Sequence, residues 1–264
     1  MKEPTWSIVA GEGPLVATAI HHGHTIRKEL RALSALAEPD RLREEDPFTG
    51  EWTTVADTRV VVHQSRFEVD LNRPPEKAVY LRPEDAWGLN LWKQPLEPEM
   101  VGRSLSLYDA FYAKLRTLLK KKETAHERFV LFDLHSYNHR RMGPDAPPSE
   151  QRENPEVNVG TGNLDRERWG PVVDSFMSAL RGFDFGGRHL DVRENVKFRG
   201  GYLPKWVQEN FPRSGCALAI EFKKFFMDEW TGEPDRKMIE MIRQALASTV
   251  SPILTALTHS DRSA

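Results

Sequence analysis

The sequence predicts an α/β protein of one domain that spans residues 1–264. Short apolar runs of strand length recur along the chain, and longer stretches with helical periodicity separate them. The run at residues 129–132 is long enough for a buried strand and too short for a helix. Polar residues follow it at once, as they do at the carboxyl ends of strands in open α/β sheets, where ligands usually bind.

Composition excludes several classes of protein. The formal charge of −2 is unlike the basic excess of a dedicated nucleic-acid binder, so no nucleic-acid partner is expected. No apolar run of about 18 residues is present, so no membrane partner is expected either. The amino terminus from Met1 lacks the apolar core of a signal peptide. The single cysteine, Cys216, lies in an apolar run and reads as a buried thiol, which favours a cytoplasmic setting.

The amino-terminal third begins with an apolar run at residues 14–20 that predicts a strand. This strand ends in His21-His-Gly-His24, and a helical stripe predicts a helix over residues 25–37 that a proline stops. Residues 38–51 are charged and contain proline and glycine, so we expect a surface excursion there. Residues 58–63 then predict a second strand.

The middle of the chain is less regular. Alternating apolar residues at 66–71 predict an extended run that two prolines end. Residues 76–103 lack periodicity and are expected to pack irregularly on the domain. The clearest helix covers residues 104–122, with Ser104 as its cap and an apolar face that packs on the core.

The carboxyl-terminal half continues the alternation of strands and helices. Residues 138–163 are rich in proline, glycine and charge, and a loop of this length in a compact domain is often a lid or a binding loop. Strands are predicted at residues 191–196 and 215–222, and helices at residues 165–180, 205–210 and 234–257, the last interrupted or ended early by Pro252.

Histidines at two predicted strand ends form a candidate metal site. Zinc in hydrolases typically takes three protein ligands, mostly His with Asp or Glu, and keeps one position for water. The turn at residues 21–24 can present two imidazoles to one metal, and His135 from a neighbouring strand completes a set. The sequence therefore predicts one zinc ion at His21, His24 and His135. The alternatives are a solvated polar turn and a merely hydrogen-bonded strand-end histidine.

Two further groups of residues suit chemistry beside such a metal. Glu221 stands inside an apolar strand, where an ionised carboxylate is costly unless it is paired or held at a site, so it is a candidate general base. The alternative is an ion pair with Lys223, Lys224 or an arginine at the sheet edge. Arginines near strand ends suggest an anionic substrate, because the guanidinium group pairs bidentately with carboxylates. Arg66, Asn72, Arg73 and Arg199 make up this group, and at least one arginine is expected to serve an acid such as Asp70 structurally.

Four short blocks between residues 14 and 225 resemble motifs of the N-formylglutamate amidohydrolase family, which is related to the zinc carboxypeptidases. The blocks are Asp70-Leu-Asn-Arg-Pro74, Leu134-His-Ser-Tyr137, Phe198-Arg-Gly-Gly-Tyr202 and Ala219-Ile-Glu-Phe222. The resemblance implies a zinc-carboxypeptidase-like fold, with a mixed, mainly parallel sheet flanked by helices. It also implies a small anionic N-acyl amino acid, such as N-formylglutamate, as substrate.

The resemblance assigns roles to the candidate residues. Zinc activates water, Glu221 takes the proton of that water and returns it to the leaving amine, and Asn72 and Arg73, with Arg66, hold the substrate carboxylate. Arg199 either joins them or stabilises the developing oxyanion. The chain departs from the carboxypeptidase pattern His-x-x-Glu, because His24 stands where that pattern has Glu, and His22 is an alternative ligand.

Two other functions remain open at this point. One is a zinc peptidase that trims amino acids from a peptide carboxyl terminus, and the other is a non-catalytic binding protein that retains the fold. The sequence leaves open the acyl group, the amino acid, the pathway and the oligomeric state. It also leaves open zinc against manganese or cobalt, since imidazole-rich sites accept several metals.

Overall fold

The computed structural model describes residues 4–259, so the predicted absence of a signal peptide at Met1 falls outside the described residues. Within this range the chain forms seven strands and seven α-helices. The strands are β1 (Trp6–Val9), β2 (Leu15–Ala19), β3 (Thr58–Val62), β4 (Phe129–Tyr137), β5 (Val157–Gly160), β6 (Val192–Glu194) and β7 (Gly215–Lys223). The helices are α1 (Lys28–Leu33), α2 (Glu38–Glu44), α3 (Thr49–Trp52), α4 (Pro98–His126), α5 (Arg166–Gly182), α6 (Tyr202–Asn210) and α7 (Arg236–His259).

All seven strands belong to one sheet, in the order β1-β3-β2-β4-β7-β5-β6. The central strands β3, β2, β4 and β7 run parallel to one another, and β5 pairs parallel with β6. The strand β1 pairs antiparallel with β3, and β5 antiparallel with β7. The sheet is therefore mixed and mainly parallel, with helices on both faces, which confirms the predicted fold class.

The strand β4 shows why the middle of the sheet is buried on both sides. All nine of its residues are buried. Val130, Phe132 and Leu134 point into a core shared with α5 and α7, whereas Phe129 and Leu131 point into a core shared with α4 and α6. A near-continuous apolar run is typical of a parallel strand covered on both faces.

The structure differs from the sequence predictions mainly outside the central strands. The predicted helix 25–37 is reduced to α1, and Pro39 opens α2 rather than ending a helix, because proline is well tolerated in a first helical turn. The stretch 38–51, predicted as a surface excursion, folds into α2 and α3. The extended run predicted at residues 66–71 is a series of turns, and β5 lies inside the predicted loop 138–163.

Two helix boundaries also differ. The helix α4 begins at Pro98, six residues before the predicted start, so Ser104 lies inside it, where its hydroxyl accepts a hydrogen bond from Arg27. The helix α7 continues through Pro252, because Ile253 and Leu257 beyond it remain buried in the core. Among residues 4–259, no helix combines the length and apolarity that a membrane span requires.

Candidate active site

Three candidate site residues lie at the carboxyl ends of three neighbouring parallel strands. His21 follows the end of β2, and His135 and Glu221 lie near the ends of β4 and β7. His135 and Glu221 are direct partners in the β4–β7 register. The carboxyl ends of parallel strands meet at one edge, which is why residues as distant in sequence as His21 and Glu221 come together.

Two imidazoles and one carboxylate converge at this edge. The Nδ1 atoms of His21 and His135 lie 3.5 and 2.9 Å from Oδ2 of Asp46. All three side chains are buried, and one ligand atom from each lies within 4.8 Å of the other two. Asp46 comes from the connection between α2 and α3, which the sequence predicted as a surface excursion.

The backbone around Asp46 is fixed to the sheet edge. Its N–H donates to the carbonyl of His21 at 2.9 Å, and its own carbonyl accepts a hydrogen bond from the hydroxyl of Thr49 at 2.7 Å. The hydroxyl of Ser136, next to His135 in β4, lies 3.4 Å from Oδ1 of the carboxylate. The position of Asp46 therefore depends on contacts with residues that are distant in sequence. The sequence around residue 46 contains no local pattern that predicts these contacts.

The second ring nitrogen of each histidine, Nε2, lies next to a further carboxylate. Nε2 of His21 lies 2.7 Å from Asp70, and Nε2 of His135 lies 3.0 Å from Asp133. Asp70 in turn accepts a hydrogen bond from Arg66 at 2.9 Å and another from Tyr80. Metal-bound histidines almost always have such a second partner, which fixes the tautomer and the orientation of the ring.

The donor set fits a divalent metal ion. Nδ1 of His21 is buried and has no hydrogen-bond partner among the described residues. Donors around a tetrahedral zinc lie about 3.3 Å apart, given bonds of about 2.0–2.1 Å, and the two measured separations from Asp46 bracket that value. A carboxylate with two neutral imidazoles is a common ligand set for a catalytic zinc.

The electrostatics of these side chains favour a positive charge between them. Burial opposes ionisation of Asp46, yet the hydrogen bond from His135 and the adjacent imidazole of His21 outweigh it and hold the pKa of Asp46 below its usual range. Burial likewise opposes a charge on His135, but the charges of Asp133 and Glu221 raise its pKa. A metal ion would take the place of the proton that this cluster of acids attracts.

His24 does not reach this group, contrary to the sequence prediction. After His21 the chain runs on beside the end of β3, and the N–H of Thr25 donates to the carbonyl of His63. This extended path carries His24 away from the sheet edge and leaves it exposed. His22 is also directed elsewhere, because its Nδ1 accepts a hydrogen bond from the N–H of Gly50 at 3.3 Å. Asp46, and not His24, lies beside His21 and His135 in the structure.

Glu221 lies beside the group as a free carboxylate. It makes no ion pair with a described residue, and the two lysines that follow it donate to backbone carbonyls instead. Burial raises the pKa of Glu221 to about 7, and the neighbouring charge of His135 acts in the opposite direction. A carboxyl group with a pKa near neutrality is suited to proton transfer.

A polar cavity of about 360 Å³, the reaction cavity, opens onto these groups. Of the predicted substrate-binding residues, Arg66, Asn72 and Arg199 line it. The guanidinium group of Arg199 has no ion pair or hydrogen bond to any residue in the described range, whereas Arg66 is already paired with Asp70. The side-chain nitrogen of Asn72 lies 3.5 Å from Nε2 of His135.

The structure does not bring Arg73 into the reaction cavity. Its guanidinium carbon lies 4.6 Å from the ring centre of Tyr80, and its Nε lies 3.6 Å from Oδ2 of Asp70. Arg73 therefore contributes to the surroundings of Asp70 rather than to the cavity wall. This outcome matches the expectation that at least one arginine serves an acid structurally.

Two glycines bring the predicted motifs at residues 70–74 and 198–202 into contact. Gly200 has a φ of +108°, a backbone conformation that favours glycine. A Cβ atom on Gly201 would lie only 2.2 Å from the side-chain oxygen of Asn72. The N–H of Tyr202 donates to the carbonyl of Asn72 at 3.1 Å. The glycine pair therefore permits the close approach that places Asn72 and Arg199 on the same cavity.

Several cavity residues were not predicted from the sequence. Trp87 is 49% exposed, has a φ of +54°, and lies in the segment predicted as irregular packing. The guanidinium carbon of Arg66 lies 4.9 Å from the centre of its indole ring. Arg141, Lys197 and Lys224 add positive charge to the cavity wall. A bulky residue with positive φ is an outlier, and such outliers cluster at functional sites.

A second cavity lies on the other side of the segment 42–48. This apolar cavity has a volume of about 550 Å³, and its walls include Leu42, Pro47, Phe48 and Trp230 together with His22 and His24. It is the larger of the two, but none of the clustered metal-ligand candidates lines it. We assign the chemistry to the smaller cavity, because the convergent polar groups are there.

Comparisons with known proteins identify the family of this chain. The sequence profile described as N-formylglutamate amidohydrolase matches residues 13–227. The crystal structure of N-formylglutamate amidohydrolase from Ralstonia eutropha JMP134 is similar, with a TM-score of 0.72 and 18% identity over 95% of this chain and 96% of that one. A gene product of Agrobacterium tumefaciens aligns with a TM-score of 0.67 and 17% identity over 96% of this chain and 97% of that one.

More distant comparisons add little. A metallo-carboxypeptidase from Burkholderia cenocepacia aligns with a TM-score of 0.40 and 16% identity over 96% of this chain and 66% of that one. A search of curated proteins gave no significant match.

The two structures above share the fold of this chain, and the profile covers the strands that carry His21, His135 and Glu221. The chain belongs to the N-formylglutamate amidohydrolase family.

Proposed function

We propose that this protein is a metal-dependent amidohydrolase that cleaves the amide bond of an N-formyl or other N-acyl amino acid, such as N-formylglutamate. The observation that carries the proposal is the convergence of His21, Asp46 and His135 beside the unpaired Glu221 in a member of this family. The preferred metal is zinc, because two imidazoles and a carboxylate form a ligand set that zinc accepts readily.

His21, Asp46 and His135 would hold the metal through their Nδ1, Oδ2 and Nδ1 atoms, with Asp70 and Asp133 fixing the two rings from behind. When bound, the metal supplies an activated water and polarises the substrate carbonyl. Asp46 contributes the single negative charge among the three ligands. All three residues line the reaction cavity, where the substrate would bind beside the metal.

Glu221 is proposed as the proton carrier. Its carboxylate accepts the proton that the attacking water loses and delivers it to the nitrogen of the leaving amine, so that the amine departs neutral. The position of Glu221 opposite His135 in the sheet register keeps its carboxylate next to the metal ligands. Its freedom from lysine partners leaves the carboxylate available for this transfer.

The cations of the reaction cavity are proposed to bind the substrate carboxylate. Arg199 is the foremost candidate, because its planar donor fork is unpaired within the described residues and can bind a carboxylate bidentately. Arg66 lines the same cavity and offers further N–H groups, and the amide nitrogen of Asn72 offers a neutral donor near His135. Arg73 acts in this proposal through Asp70 and not by contact with substrate.

The test is hydrolysis of N-formyl-L-glutamate by zinc-loaded protein, with a chelator-treated sample in parallel. The expected result is metal-dependent release of glutamate and formate in equal amounts. N-acetyl-L-glutamate and an N-acyl dipeptide serve as comparison substrates. Cleavage of the dipeptide alone would favour a peptidase, and absence of metal in every preparation, even after addition of zinc, would favour a non-catalytic binding protein.

A further inference from the structure

We propose that Lys224 is a positioning residue for the metal site, because its buried ammonium group fixes the chain segment that presents Asp46. This inference rests on the proposed metal site and adds a residue that neither the motifs nor the ligand cluster include. Lys224 follows β7 directly and lies three positions after Glu221. It therefore connects the strand that carries the proposed proton carrier with the segment that carries the acidic ligand.

The contacts of Lys224 are directed at one short segment. Its Nζ donates to the carbonyl of Arg43 at 2.6 Å and to the carbonyl of Glu45 at 2.7 Å. Its own N–H donates to the carbonyl of Tyr137 at the end of β4. One residue thus joins the ends of β4 and β7 to the backbone immediately before Asp46.

These two carbonyls need a partner of this kind. They lie at the carboxyl end of α2, where the last carbonyls of a helix have no partner within the helix. A cation placed there is also favoured by the helix dipole. The segment then continues into Asp46, whose N–H is held by the carbonyl of His21. With Lys224 on one side and His21 on the other, the backbone of residues 43–46 has little freedom to shift the carboxylate.

Burial makes a lysine a costly way to stabilise a helix end. Lys224 is only 2% exposed, and a charge taken out of water is retained only where hydrogen bonds compensate for it. The ammonium group also lines the reaction cavity together with Asp46 and Glu221. An apolar side chain would be sufficient if this position served only for packing. We therefore attribute the buried charge of Lys224 to its place between the polar cavity wall and the segment that carries Asp46.

The adjacent residue provides a matched control. Lys223 is also buried, and its Nζ donates to one backbone carbonyl, that of Asn154, at 2.9 Å. It does not line the reaction cavity and does not contact residues 43–46. Lys223→Met therefore removes a buried lysine from the same strand end without loosening Asp46.

The experiment measures zinc affinity of the metal-free protein by competition with a chromophoric chelator, for wild type, Lys224→Met and Lys223→Met. Circular dichroism and the thermal midpoint of each metal-free protein are recorded alongside. We expect zinc binding to weaken by about 10- to 100-fold in Lys224→Met, the range typical for loss of a residue that orients a ligand. Lys223→Met is expected to remain within about two-fold of wild type, because Lys223 shares no hydrogen-bond partner with Lys224 or Asp46.

The absorption spectrum of the cobalt-loaded protein gives a second readout. A displaced Asp46 alters the ligand field, so Lys224→Met is expected to show a changed cobalt spectrum and Lys223→Met the wild-type one. If Lys224→Met does not fold, Lys224→Gln replaces it, because the amide retains a donor for one carbonyl. Failure of both to fold, with Lys223→Met intact, would assign Lys224 to the fold as a whole and overturn the proposal.

The remaining outcomes separate this inference from the proposed function. Unchanged zinc affinity in Lys224→Met, or an equal loss in both lysine variants, would overturn the role of Lys224 and leave the metal site standing. A wild-type protein that binds no zinc would remove the metal site and this inference together. Failure to hydrolyse N-formylglutamate has no bearing on the affinity measurement.

Discussion

The reaction cavity and the apolar cavity lie on opposite sides of the segment 42–48, and they differ in almost every respect. The reaction cavity is smaller, about 360 Å³ against about 550 Å³, and groups from the ends of β2, β4 and β7 face it. The apolar cavity is formed mostly by the segments around α2 and α3 and by the loop after β7. Size therefore does not locate the chemistry here, whereas the carboxyl edge of the parallel strands does.

A single turn contributes to both cavities. His21 faces the reaction cavity, whereas His22 and His24 line the apolar cavity. The residue type is the same, so only position relative to the end of β2 separates a buried candidate ligand from an exposed side chain. Paired substitutions on the two sides of the segment 42–48 test whether this division is functional.

The largest difference is expected between His21→Ala and His24→Ala. Loss of His21 removes one of three proposed ligands and the imidazole that lies 2.7 Å from Asp70, so zinc binding and metal-dependent turnover should fall to background. His24 is exposed and outside the group, so its variant should bind zinc as wild type does. Zinc content after dialysis and initial rates on N-formyl-L-glutamate measure both effects. Loss of zinc and activity in His24→Ala, with both retained in His21→Ala, would instead support His24 as a ligand.

The next difference concerns two glutamates. Glu221→Gln should retain zinc and the fold but lower turnover by about 10²- to 10⁴-fold, the range for loss of a general acid–base group. Glu51→Gln alters an acid on the apolar cavity that is paired with Arg236, and it should leave turnover unchanged. Steady-state kinetics with metal analysis provide the comparison. Full activity of Glu221→Gln would refute the role assigned to this residue.

A smaller difference is expected between two arginines. Arg199→Met should lower kcat/KM by about 10- to 100-fold, mainly through KM, because hydrogen bonds to a charged group contribute about 1.5–3 kcal/mol. Arg43→Met removes a guanidinium group that stacks on Trp230 at 3.7 Å beside the apolar cavity, and kinetic constants should stay near those of wild type. Equal losses in both variants would mean that overall positive charge, not the cavity wall, attracts the substrate.

The smallest effect is expected from the two tryptophans. Trp87 lies against the guanidinium group of Arg66, and cation–π contacts at exposed sites contribute about 0.5–1 kcal/mol, so Trp87→Ala should raise KM by about two- to five-fold. Trp230→Ala on the apolar cavity should leave KM unchanged. Substrate titrations resolve this difference. A rise in KM for Trp230→Ala alone would place part of the substrate in the apolar cavity.

The sequence predicted the parts of the site that lie at strand ends and missed the part that lies in a connecting segment. The strands β2, β4 and β7 were predicted closely, because each is an apolar run that ends in polar residues, and His21, His135 and Glu221 were found with them. Asp46 was not found, because it lies in a charged stretch that reads as solvated surface. Its N–H donates to the carbonyl of His21, and the carbonyl of the preceding residue, Glu45, accepts a hydrogen bond from Lys224. Both partners are remote from this segment in sequence.

Two other predicted site residues, His24 and Arg73, lie outside the reaction cavity for similar reasons. His24 was assigned to the metal because spacing within a turn cannot show whether the chain bends back or continues beside β3, as it does here. Arg73 was assigned to the substrate from a motif, whereas the turns at residues 66–73 direct it toward Tyr80 and Asp70. Local patterns predicted the strands correctly, but the direction of side chains in turns depends on the tertiary structure.

The most direct test of the central claim is anomalous diffraction at the zinc absorption edge from crystals of the zinc-loaded protein. The account predicts one strong peak in the reaction cavity, within about 2.0–2.2 Å of Nδ1 of His21, Nδ1 of His135 and a carboxylate oxygen of Asp46. A peak bound by His22 or His24 in the apolar cavity, with none at Asp46, would contradict it.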